Sequence, residues 1–172
     1  MIHAFLAKFL AQSKNLGAKR MLFFLCIALL TFGIDQGLKQ LFLNGFSMES
    51  NVITLGGRAL VFNDGVAFSM FKSLGESLKY LQILLLIVLF CFTFFSGLLA
   101  QNLVAFGLVF GAGAGNIIDR FIHSGVVDYI YWHYGFEFAI FNFADVMIDI
   151  GVGLVLLALL LERKKPCDNK QC

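Results

Sequence analysis

A chain of 172 residues that is 59% hydrophobic and 14% charged, with 21 Phe and one Pro, lies outside the composition of water-soluble domains, and its mean hydropathy of +0.84 points to repeated membrane crossing. The net charge of +2 is no nucleic-acid signature, because Lys8, Lys14, Lys19, Arg20, Arg163, Lys164, Lys165 and Lys170 flank the two ends of the apolar region, where topology accounts for them. The four cysteines form no CxxC pair and HExxH is absent, so neither a redox couple nor a zinc site is expected, and no other cofactor is implied.

In chain order, residues 1–20 form a basic lead. A spanning helix needs roughly 20 mostly apolar residues, and residues 21–37 supply the first. It reads as retained rather than cleaved, since Asp-Gln-Gly-Leu-Lys follows it instead of a small-residue cleavage site. Residues 41–79 form a long loop in which a β-branched and aromatic stretch is broken by Asn63-Asp64-Gly65, a hairpin signal that predicts a small sheet on the membrane surface. Between residues 80 and 118 there is no Asp, Glu, Lys or Arg. At about 1.5 Å per residue that is too long for one crossing, so spans are predicted over 80–100 and 103–118 with a reversal at Gln101-Asn102.

Gly107, Gly111 and Gly115 recur every four residues in the third span and make a stripe for close helix packing. An outer loop over 120–142 follows, with Tyr129, Tyr131, Trp132 and Tyr134 as interfacial anchors. The fourth span is predicted over 143–161, and residues 162–172 form a basic tail. Basic residues concentrate in cytoplasmic segments, so both termini are placed in the cytoplasm and the span count is even. The fold class is therefore an all-α, four-span membrane protein, residues 21–161 forming one domain, with a small extracytoplasmic β-sheet between spans 1 and 2 and an outer loop between spans 3 and 4.

This topology brings three polar span ends to one leaflet. The first span ends at Asp35, the third at Asn116 and Asp119, and the fourth begins at Asn142 and Asp145. Ionisable groups in membrane helices are costly and mark function. Asn116, Asp119 and Arg120 stand at i, i+3 and i+4, as Asn142 and Asp145 stand at i and i+3 with Asp149 one turn on, so each helix end presents one polar face. Asp35 and Lys39 make an i, i+4 pair that reads equally well as an interfacial ion pair of little energetic weight. Asp128 has apolar neighbours in Gly-Val-Val-Asp-Tyr-Ile-Tyr-Trp and no adjacent cation, which disfavours its ionised form. Asp119, beside Arg120, is better placed to stay an anion that orients other groups. Two carboxyls within a few ångströms share one proton, so that one can activate water while the other protonates a carbonyl oxygen. Ser69, Ser96 and Ser124 lack a nucleophile-elbow context.

In order, IDQGLK (34–39), FNDGVAFSM (62–70), GNIIDR (115–120), VVDYI (126–130) and FNFAD (141–145) resemble the signature blocks of the lipoprotein signal peptidases, the type II signal peptidases of bacteria. The resemblance extends from about residue 34 to residue 153. It implies an aspartyl endopeptidase of the bacterial inner membrane, inhibited by globomycin, that cuts diacylglyceryl-modified prolipoproteins on the amino side of the lipidated cysteine. It also implies four spans, an outer β-cradle and an active site at the extracytoplasmic face. Carried onto this chain, the catalytic pair falls on Asp128 and Asp145, with Asp35, Lys39, Asn63, Asn116, Asp119, Arg120 and Asn142 supporting the pair or contacting substrate. Asp64 departs from the small or uncharged residue usual beside that motif asparagine, and Asp149 lies outside the motif core. The expected partners are the lipidated substrate and membrane lipid, without nucleic acid, and the expected state is a monomer.

Two other classes compete. Membrane carboxylates also build proton or ion carriers, but here they gather at one end and leave the other half of the spans bare. A structural subunit would use the glycine stripe for packing alone and would tolerate loss of either aspartate. A lipoprotein is excluded, because Cys26 follows Phe24-Leu25 rather than small residues.

Overall fold

The computed structural model describes residues 12, 16–65 and 77–163; most of the basic lead, the segment 66–76 and the tail after residue 163 lie outside the described residues. Among the described residues, four helices are long and apolar enough to cross a membrane: α1 (Ala18–Leu43), α2 (Ser77–Phe95), α4 (Leu103–Ile122) and α5, which begins at Phe143 and runs to Arg163. At about 1.5 Å per residue the 26 residues of α1 reach ~39 Å, beyond a hydrocarbon core of about 30 Å, so this helix continues past the predicted end at residue 37 and carries Asp35 and Lys39 inside regular helix. The second span ends earlier than predicted, at Phe95. Gly97 takes φ +80°, and one short helix, α3 (Leu98–Gln101), separates it from the turn at Asn102. Unbroken apolar composition hid this break, because the reversal depends on a left-handed conformation that glycine adopts freely.

Helix α4 is the centre of the bundle. Of its most apolar window 61% is buried, against 17% or less for the other spans. It packs most extensively on α1 and α5, and glycine makes this possible. A Cβ on Gly107 would lie 2.6 Å from Cγ2 of Ile27, one on Gly111 would enter the Ala28 carbonyl, and one on Gly115 would enter the Asp35 carboxylate. Gly151 of α5 is likewise closed by Val109 and the Ala105 carbonyl of α4. The stripe is a helix-packing device. Gly111→Ala is expected to lower the thermal unfolding temperature in detergent micelles, by a destabilisation of roughly 1–3 kcal/mol from overpacking. Gly153→Ala, which meets nothing within 4 Å, should be neutral or stabilising. Equal melting of the two variants would contradict this packing.

The surface structure differs from the predicted hairpin. Strands β1 (Ser47–Glu49) and β2 (Ile53–Gly56) pair antiparallel, and β2 also pairs with β5 (Ile130–Trp132) from the loop between α4 and α5. Strand β3 (Val61–Asn63) ends at the Asn-Asp-Gly stretch but pairs with β4 (Val126–Asp128), in the register Val61↔Asp128, Phe62↔Val127, Asn63↔Val126. The strands therefore form two small sheets, β1-β2-β5 and β3-β4, and each joins strands from both of these inter-span loops, a two-stranded hairpin by itself being marginally stable. Tyr129 is a second departure. Rather than anchoring at the interface, it is 2% exposed and stacks on Phe42 with ring centroids 4.2 Å apart.

Candidate active site

The start of α5 organises the site. The first N–H groups of a helix have no partner within it, and here each one finds one. Asp145 N donates to Asn142 Oδ1 at 3.0 Å while Asn142 N donates to Asp145 Oδ2 at 3.1 Å. This is the reciprocal capping box, built from Asn and Asp three residues apart. Phe143 N donates to the Tyr129 hydroxyl at 3.2 Å, and Ala144 N donates to Asp35 Oδ1 at 3.2 Å. The i, i+3 spacing of Asn142 and Asp145 is thus first a local requirement of the helix terminus. Its consequence is that Asp145 is held rigidly at the end of the helix.

Asn142 also reaches the second carboxylate. Its Nδ2 donates to Asp128 Oδ1 at 2.7 Å and to Asn116 Oδ1 at 3.3 Å. Asp128 Oδ2 accepts from Asn63 Nδ2 at 3.0 Å. That contact follows from register: Asn63 and Asp128 lie on one face of the β3–β4 ladder as diagonal neighbours. Asn63 Oδ1 accepts from Gly65 N at 3.0 Å, an Asx turn that aims its amide at the aspartate. On the opposite side Asn116 Nδ2 donates to Asp145 Oδ1 at 2.9 Å. Asp128 and Asp145 are therefore tied together through Asn142, and both line one cavity of about 520 Å³ with Asn63, Asn116 and Arg120.

Burial, and then the charge of Asp145, push the Asp128 carboxyl up to about 6, against the opposing effect of the Asn63 and Asn142 amides. The apolar setting read from its flanking sequence raises it in the expected direction. A carboxyl titrating there can hold or release a proton near neutral pH.

Behind the aspartates lies an ionic layer. Lys39 Nζ contacts Asp35 Oδ2 at 2.7 Å, Asp119 Oδ2 at 2.7 Å and Asn116 Oδ1 at 2.9 Å, so all three ammonium donors are used. Lys39 is 2% exposed, Asp35 0% and Asp119 1%. The reading of Asp35 and Lys39 as an interfacial pair of little weight is corrected here, because both groups are fully buried and bonded across helices. The pairing of Asp119 with Arg120 is corrected as well. Asp119 takes Lys39 and the Val127 N–H at 3.1 Å, which fixes β4 against α4, whereas Arg120 Nη2 donates to the Gly65 carbonyl. Adjacent helical residues point in different directions, so sequence adjacency gave the wrong partner.

The structure therefore gathers Asp35, Lys39, Asn63, Asn116, Asp119, Arg120, Asp128, Asn142 and Asp145 into one connected cluster, and Asp149 also lines the cavity. Two members were not foreseen. Gln36 Nε2 bridges Asp119 Oδ1 at 3.0 Å, the Gly115 carbonyl at 3.3 Å and Asp35 Oδ2 at 3.3 Å. Tyr129 caps α5. A glutamine inside a membrane helix was a usable signal for the first, whereas the second depends on how the loop folds.

A model of the family described as Signal peptidase (SPase) II matches residues 27–161. The chain belongs to the signal peptidase II family. It is 53% identical over 148 residues to the lipoprotein signal peptidase of Helicobacter pylori strain Shi470, covering 86% of this chain and 92% of that protein. Over 140 residues it is 49% identical to the lipoprotein signal peptidase of Wolinella succinogenes, covering 78% and 91%. A bacterial membrane enzyme solved by the in meso method at 2.3 Å superposes with a TM-score of 0.72 at 25% identity, over 87% of this chain and 94% of that one. Membership of the signal peptidase II family makes the chain a membrane-embedded peptidase and favours that class over a carrier or a packing subunit.

Proposed function

We propose that the chain removes the signal peptide from diacylglyceryl-modified prolipoproteins, cutting on the amino side of the lipidated cysteine, with Asp128 and Asp145 as the acid–base pair. The observation that carries this is the single side chain of Asn142, bonded to the Asp145 backbone and to the Asp128 carboxylate within one cavity. In the reactive form Asp128 carries the pair's one proton. Asp145 takes a proton from a water molecule as that water attacks the scissile carbonyl. Asp128 donates its proton to the carbonyl oxygen, and collapse of the tetrahedral intermediate returns a proton to the leaving amine. Asn116 and Asn142 hold the carboxylates at fixed spacing, so little reorganisation is needed at the moment of reaction.

The substrate accounts for the location. A signal peptide is an apolar helix and the cysteine carries two acyl chains, so both partition into the bilayer and leave the scissile bond near the headgroups. The polar ends of the three spans meet at one end of the bundle, beside the short strands, and this end is assigned to that depth. With both termini in the cytoplasm, this is the extracytoplasmic face of the bacterial inner membrane.

The test is mass spectrometry of a purified diacylglyceryl-modified prolipoprotein incubated with the protein. Loss of the signal-peptide mass is expected, and globomycin should block it. Asp145→Asn should insert and fold yet leave the precursor intact. Continued cleavage by that variant would sink the aspartyl pair, and equal cleavage of an unlipidated precursor would sink the substrate class.

A further inference from the structure

The catalytic cavity has a wall that the mechanism does not use. Gln82 stands in the first turns of α2 and lines the same space as Asp128, Asn63, Arg120 and Asp145. It is a polar residue in a helix otherwise made of Leu, Ile, Val and Phe over its middle. Its Oε1 is buried and has no hydrogen-bond partner among the described residues. Leaving such an acceptor unpaired costs roughly 1–3 kcal/mol, and buried polar groups without partners call for a physical reason.

A second group in the cavity is in the same condition. Arg120, 6% exposed, donates through Nη2 to the Gly65 carbonyl, but its Nε has no partner among the described residues. Among the described residues the cavity lining thus includes one unused acceptor and one unused donor. A peptide unit in extended conformation needs that combination, one partner for its N–H and one for its C=O.

We propose that Gln82 is a substrate-binding residue, whose amide oxygen accepts a hydrogen bond from a backbone N–H of the bound signal peptide beside the scissile bond. No hydrogen bond from a described residue holds that oxygen in place, and rotation about a terminal amide torsion is soft. Turning toward a peptide donor in the cavity therefore exchanges an unpaired acceptor for a paired one. The contact involves main chain, so it is blind to signal-peptide sequence and suits an enzyme that takes many precursors. It also places a polar ligand for the substrate on α2, a span whose Leu81, Leu84, Leu85 and Val88 are exposed.

This inference rests on the peptidase reading, and the test separates the two. Steady-state cleavage of the diacylglyceryl-modified precursor is compared for the parent, Gln82→Leu and Gln82→Glu in detergent micelles. One hydrogen bond of ordinary strength corresponds to roughly 3–10-fold in affinity. Gln82→Leu should raise KM by about that factor with kcat little changed, and should melt no lower than the parent, since an unpaired buried group has been removed. Gln82→Glu keeps an acceptor and should recover part of the loss at pH 5. A series of short lipidated peptides, N-methylated at one backbone position at a time, supplies the second arm. One position should weaken binding to the parent but not to Gln82→Leu.

If KM of Gln82→Leu equals that of the parent, or if KM rises only together with a lower melting temperature and no N-methyl position responds differently, the proposal is overturned. Failure of the parent itself to cut the precursor would instead defeat the peptidase reading.

Discussion

Asp128→Asn is expected to lower the cleavage rate by at least ~10²–10⁴-fold, the usual contribution of a positioned acid or base, and at the same time to make the protein harder to unfold at pH 8. The first effect follows from removing the group proposed to hold the transferable proton. The second follows from its titration. The folded protein keeps Asp128 protonated up to about 6, above the ordinary value of 3.8. Between those values the folded state binds a proton that the unfolded chain has released, so stability falls as pH rises through this window. Below it the carboxyl is neutral in both states and carries no penalty. Above it the folded state bears a buried charge, at a cost of about 3 kcal/mol for a shift of about two pH units.

An asparagine has no such charge. Its NH₂ must, however, face either the Asn63 or the Asn142 amide, both of which are donors, so one hydrogen bond worth about 1 kcal/mol is lost. The variant should therefore be slightly less stable than the parent at pH 4 and more stable at pH 8, the difference changing by about 3 kcal/mol between the two. Chemical unfolding of both proteins in micelles at the two pH values measures this, because groups remote from Asp128 titrate in both proteins and cancel. A difference that does not vary with pH would mean that Asp128 is ionised throughout.

Lys39→Met should be the most destabilising single change in the ionic layer. It leaves Asp35 and Asp119, both essentially inaccessible to solvent, facing each other without a cation. Breaking a buried pair from one side costs roughly 3–5 kcal/mol. Adding Asp119→Asn removes one of the stranded charges and should recover part of that loss, so the two substitutions are not additive. Cleavage should fall as well. Asn116 Oδ1 loses its ammonium partner, and the same amide donates to Asp145. Unfolding midpoints of the single and double variants decide the matter. A Lys39→Met protein that unfolds like the parent would show that the layer carries no net charge coupling.

Much of this architecture was legible in the chain because the bilayer imposes a strong rule. A helix must satisfy its own backbone in lipid, so runs of apolar residues declare spans, and the rarity of charge among them makes Asp35, Asp119 and Asp145 conspicuous. The glycine stripe was legible for a related reason, since 107, 111 and 115 fall on one helical face whatever they pack against. The spacing of Asn142 and Asp145 was visible too, as a polar face. Its role as a capping box was local enough to have been read from the same residues.

What could not be read was every contact that depends on how separate segments meet. Strand β3 pairs with a strand 65 residues later rather than with its own continuation, and only that register sets Asn63 against Asp128. Tyr129 stands one residue from the aspartate and yet belongs to the helix cap, because β4 and β5 turn it inward onto Phe42. Asp119 bonds to Lys39 across two helices and not to the arginine beside it. Periodicity and hydropathy describe which face of one element is polar, and a membrane makes that description unusually complete. They contain no term for the pairing of two faces distant in sequence, which the packed glycines, the strand register and the demand that each buried donor find an acceptor decide together.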